Sequence, residues 1–67
     1  MTATEFRVSC AIMGISYTEM SRRLNISPIT PQRWARGLHP VPYASAVLIR
    51  QMVEEYERRA ECAKEEQ

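Results

Sequence analysis

The segment YTEMSRRLNISPITPQRWARG, residues 17–37, constrains this chain more than any other stretch. It reads as two short helices joined by a tight turn. Met20 and Leu24, at i and i+4, give the first helix an inner face, and Trp34 gives the second one. Between them, Asn25 tolerates a left-handed backbone and Ile26 can plug the core beneath the turn. The outer face of the second helix carries Gln32, Arg33 and Arg36. The expectation is an all-α chain built around a helical hairpin.

Start and stop signals extend that reading to about four helices. Thr2 and Glu5 have capping-box spacing, and Phe6, Cys10 and Met13 fall on one apolar face that Val8 and Ile12 widen. The first helix is therefore expected over about 3–13, closed by Gly14. Ser16 and Glu19 form a second capping box, with Ile15 and Met20 placed for a hydrophobic staple, so the second helix runs to about Leu24. The third helix has two possible starts. Ser27-Pro28 fits a cap followed by a first-turn proline, and so does Thr30-Pro31. We favour Thr30 as the cap, because a helix begun at Pro28 would set Pro31 against a backbone hydrogen bond and make Thr30 helical before proline. Gly37 ends that helix, and two prolines stiffen the loop from Leu38 to Pro42.

From about Tyr43 to residue 64 neither Gly nor Pro interrupts a last, long helix. Ala46, Ile49, Val53, Tyr56, Ala60 and Ala63 alternate spacings of 3 and 4, the seam of a helix pair. Val47, Leu48 and Met52 form a second apolar set, expected to dock on the hairpin. Two apolar faces imply two neighbours, the chain's own core and a second copy; the alternative is one broad core face with a frayed tail.

With 67 residues the chain has room for one domain (1–67) and a thin core, and such chains usually gain support from a disulfide, a metal or a partner. Cys10 and Cys62 are far apart and lack zinc-site spacing, so free thiols, no metal and no cofactor are expected. Cys10 on an apolar face is best explained as a small core hydrophobe. No apolar run approaches the roughly 20 residues that span a bilayer, and no signal-peptide pattern opens the chain. A cytoplasmic protein supported by homodimerisation is the expectation.

The net charge of +1 taken alone argues against nucleic acid, but its distribution matters more. Residues 1–50 hold six Arg against Glu5 and Glu19, giving +4; residues 51–67 hold three basic residues against six Glu, giving −3. A basic front and an acidic tail suit a nucleic-acid face with a separate non-binding end. Arg outnumbers Lys eight to one, and Arg pairs bidentately with guanine or phosphate. The layout is that of a helix-turn-helix (17–37), which places its second helix in the major groove of DNA. Gln32, Arg33 and Arg36 would then read base edges, with Ile29 against a thymine methyl. Tyr17, Thr18, Arg22, Arg23, Ser27, Thr30 and Tyr43 are placed to meet phosphates. The bland alternative is a small helical protein whose charged face is merely solvated.

NISPITPQRWARG after YTEMSRRL resembles the helix-turn-helix of the Cro and lambda-repressor family, whose recognition helix ends in Arg-Trp-x-x-Gly. HPVPYASAVLI is similar to the following stretch in small phage regulators, including anti-CRISPR-associated repressors. The resemblance covers about residues 5–53. It implies a lambda-repressor-like fold and a dimeric repressor or autorepressor that reads an inverted-repeat operator in a bacterial or phage-infected cell. The family's base-reading positions fall on Pro28, Ile29, Gln32, Arg33 and Arg36. Three residues depart from its pattern: Ser21 replaces Ala, Asn25 replaces the turn Gly, and Pro31 replaces a β-branched core residue. Ser21 is tolerable if its hydroxyl bonds a preceding carbonyl.

Other classes fit less well. His39 is the only histidine, in a proline-flanked loop with no nucleophile or carboxylate grouped around it, so an enzyme and a small-molecule substrate are not expected. The competing class is a protein-binding adaptor, antirepressor- or antitoxin-like, that captures its partner with the last helix.

Overall fold

The computed structural model describes the backbone of residues 1–65 and the side chains of residues 1–60. Among them are four helices and no strand: α1 (Ala3–Met13), α2 (Tyr17–Leu24), α3 (Ile29–Ala35) and α4 (Tyr43–Glu65). None is long and apolar enough to cross a membrane.

Local chemistry sets the first two helices. The Thr2 hydroxyl accepts from the Glu5 backbone N–H at 3.1 Å, and the Ser16 hydroxyl accepts from the Glu19 N–H at 3.1 Å. Each satisfies one of the amides that a helix start leaves orphaned. The first three helices stop on left-handed residues, Gly14 (φ 64°), Asn25 (φ 57°) and Gly37 (φ 75°). After each, the next amide reaches back to the last turn: Ile15 N to Cys10 O (3.2 Å), Ile26 N to Ser21 O (2.9 Å) and Leu38 N to Arg33 O (3.0 Å). These are Schellman closures, which consume carbonyls that would otherwise lack partners. A Cβ on Gly14 would meet nothing within 4 Å, so Gly14→Ala isolates the backbone cost of its positive φ. We expect a loss of about 1 kcal/mol, read from the urea midpoint, with Gly14→Asn losing less.

The third helix begins earlier than the sequence favours. It starts at Ile29, with Pro28 already in a right-handed conformation (φ −58°, ψ −25°) and Thr30 inside the helix. The physical reason is the position of Pro31. It is the third helical residue, where an amide has no intrahelical acceptor, so its missing N–H forfeits nothing. Its ring is instead buried in the core.

Phe6, wholly buried, is the keystone of that core. Its ring meets Trp34 edge-on (centroids 5.5 Å, interplanar 88°) and stacks on Tyr17 (5.9 Å, 26°), joining α1, α3 and α2. Cys10, Met13, Met20, Ala35, Val41, Ala46 and Ile49 complete the cluster, with Ile15, Leu24, Ile26, Met52 and Val53 packed around it. Val8 and Ile12 do not widen the α1 core face; both are exposed, because α3 and α4 pack on the side defined by Phe6 and Cys10. Burial pushes the Cys10 thiol up from its ordinary value, so it stays protonated at neutral pH, as a core hydrophobe should. Cys62 and Ala63 lie outside the described side chains. Ser21 is buried and its hydroxyl donates to the Thr18 carbonyl, which meets the condition for tolerating Ser at that position.

The last helix turns the first half of its expected intermolecular seam inward. Ala46 (2% exposed) and Ile49 (0%) are sealed inside the subunit and cannot form an intermolecular seam. Val53 of the same row is half-buried against the core, while Tyr56 and Ala60 are exposed. Of the other set, Val47 and Met52 are half-buried and Leu48 is half-exposed. The spacing correctly marks an apolar stripe, but α1 is the neighbour that covers its first half, fastened by an Arg50–Glu5 ion pair at 3.8 Å. Every residue from Glu54 to Ala60 is exposed, so the end of α4 projects from the body.

Candidate nucleic-acid interface

Helix α3 is short, and its two sides differ in kind. Pro31, Trp34 and Ala35 anchor one side in the core. Pro28, Ile29, Gln32, Arg33 and Arg36 emerge on the other, all exposed. Arg36 follows the last helical residue but keeps helical dihedrals (φ −86°, ψ −6°), and its amide still bonds Gln32 O at 3.1 Å. The side chains expected to read bases are therefore on one solvent-facing surface. None is pinned within the subunit.

The phosphate candidates are more scattered. Thr18 and Ser27 are exposed, Thr30 is half-buried, and Tyr43 is 82% exposed at the start of α4. The Tyr17 ring is half-buried and stacked on Phe6. Arg22 and Arg23 both lean on Glu19, at 3.9 and 3.4 Å, so part of their charge is already answered within α2. His39 lies exposed in the loop before α4.

The pattern of ion pairs sorts the arginines. Arg22, Arg23, Arg50, Arg58 and Arg59 each have a carboxylate within 4 Å. Among the described residues, Arg7, Arg33 and Arg36 have none. Uncompensated guanidinium charge is thus concentrated on α3 and the neighbouring face of α1, while the projecting part of α4 neutralises itself through Glu55.

One member of this group has no motif to announce it. Arg7 borders a depression of about 320 Å³ together with Tyr17, Gln32, Ala35 and Arg36. In the sequence it is only one of six front-half arginines; what gives it a place is the packing of α1 against α3 through Phe6. Comparison with protein-family models, curated proteins and solved structures finds no match for this chain.

Proposed function

We propose that this chain is a sequence-specific DNA-binding regulator of the Cro and lambda-repressor type, acting as a dimeric repressor on an inverted-repeat operator. In this reading, α2 and α3 are the helix-turn-helix and α3 enters the major groove. Arg33 and Gln32 read base edges, since Arg can bond guanine O6 and N7 together and Gln can pair with adenine N6 and N7. The observation that carries the reading is the segregation of charge: unpaired arginines collect around α3, whose opposite side is locked into the core. Arginines free of carboxylates on one face suit the neutralisation of phosphates.

Two copies are needed for specificity, because one seven-residue helix addresses only three or four bases against strong nonspecific attraction. With Ala46 and Ile49 occupied in the core, we place the dimer contact on the stripe Leu48–Met52–Tyr56, spaced at i, i+4 and i+8 on α4, in which Leu48 and Tyr56 are exposed and Met52 half-buried. The same stripe favours the second reading, an adaptor that captures another protein.

Selection from random duplex DNA decides between them. The regulator yields a motif of two inverted half-sites about one helical turn apart. On that duplex, Arg33→Ala is expected to weaken binding about tenfold or more and to relax preference at a single base pair per half-site. Selection without enrichment, together with retained capture of a protein partner, would leave the adaptor standing instead.

A further inference from the structure

We propose that Arg7 and Arg36 form a two-pronged clamp for one DNA backbone phosphate, so that Arg36 serves the backbone and not the groove floor. The inference rests on the DNA-binding reading and gives a task to a residue that the hairpin motif leaves out.

Four of the five residues that line the depression between α1 and α3 carry hydrogen-bond donors. Arg7 and Arg36 supply guanidinium groups, Tyr17 a hydroxyl and Gln32 an amide, and buried Ala35 is small enough to leave room for a ligand. No carboxylate lines it, and neither arginine has an ion-pair partner among the described residues. Two like charges bordering one hollow repel each other, and an anion between them relieves that repulsion. The side chains are also steadied in advance. The Arg7 guanidinium donates to Thr4 Oγ1 at 3.2 Å, and the Tyr17 ring is held flat on Phe6. A tetrahedral phosphodiester, with two non-bridging oxygens, matches paired guanidinium forks better than a planar base edge does. Arg33, which does not line the hollow, stays a base reader.

The clamp makes a claim distinct from the reading it rests on. Titrations of wild type, Arg7→Ala, Arg7→Lys and Arg33→Ala against a labelled mixed-sequence duplex, over a range of NaCl, separate the two. Arg7→Ala is expected to bind this duplex about tenfold more weakly. Its log–log salt slope should fall by less than about 0.9, the share of one whole phosphate, because Arg36 still holds the shared one. Arg7→Lys should keep the slope, and Arg33→Ala should lose affinity chiefly on the selected duplex. Arg7 is exposed and its guanidinium bonds the exposed Thr4 hydroxyl, so circular dichroism of its variants should match wild type. A methylphosphonate at the clamped position should penalise wild type and leave Arg7→Ala indifferent.

If wild type binds duplex and Arg7→Ala shows unchanged slope and affinity, the clamp falls and the regulator survives. If wild type fails to bind duplex at low salt, both fall. Inorganic phosphate that saturates the Arg7 and Arg36 side-chain N–H resonances at constant ionic strength, while duplex leaves them unmoved, would give the hollow to a free anion and overturn the clamp.

Discussion

Phe6→Ala should unfold this chain at or near room temperature. A wholly buried Phe replaced by Ala costs about 3–5 kcal/mol through lost transfer energy and the cavity left behind. Here the ring is also the shared partner of Trp34 and Tyr17, and aromatic pairs add about 0.5–1.5 kcal/mol beyond burial. A chain of 67 residues holds only about 3–10 kcal/mol in all. The variant is therefore expected to melt at least about 15 °C below wild type, or to show no cooperative transition. The functional consequence follows from position. Phe6 is the point where α1 meets both helices of the hairpin, so its loss releases α3 from the surface that presents Gln32, Arg33 and Arg36. Tyr17→Phe, which keeps the stacked ring and removes only a hydroxyl, should stay folded. A melting point within a few degrees of wild type for Phe6→Ala would mean that α1 is not part of the cooperative unit.

What could be read from the sequence divides along physical lines. The bounds of α1 and α2 were legible because capping residues and left-handed stops act over three or four positions, within reach of the chain itself. The start of α3 was not. A proline normally breaks a helix, but in its third position it removes an amide that has no acceptor, and burial of the Pro31 ring then favours the longer helix. The faces of α4 were legible as a stripe and misassigned as to neighbour, because the spacing of Ala46, Ile49 and Val53 is the same whether α1 or another chain covers it. The outward-facing row of α3 was legible, since Trp34 fixes the inner side and the rest follows from helical geometry. Arg7 was legible only as charge. Its meeting with Arg36 depends on how α1 lies on α3, and no local pattern encodes that.

Ile49→Glu is expected to destroy the fold, and the contrast with its neighbour Leu48 tests where the chain meets a partner. Ile49 has no exposed surface, so a carboxylate there loses the transfer energy of the buried side chain, about 1.5–3 kcal/mol. It also pays an effective desolvation penalty of about several kcal/mol for an unpaired buried ion. Together these approach or exceed the stability estimated above, so helical circular dichroism should collapse at neutral pH. Leu48 and Tyr56 are 49% and 45% exposed, and charges placed there remain in water. Leu48→Glu combined with Tyr56→Glu should keep the wild-type spectrum within about 1 kcal/mol of its stability. If α4 pairs through this stripe, sedimentation should find the double variant monomeric at concentrations where wild type is dimeric, and the cooperative binding of two half-sites should be lost with it. Should the double variant remain a dimer, the contact belongs on another surface, and the half-exposed Val8 and Ile12 of α1 are the apolar residues next in line. A folded, monomeric Ile49→Glu would be the opposite result: it would put that side chain at a boundary between chains and not at the centre of one.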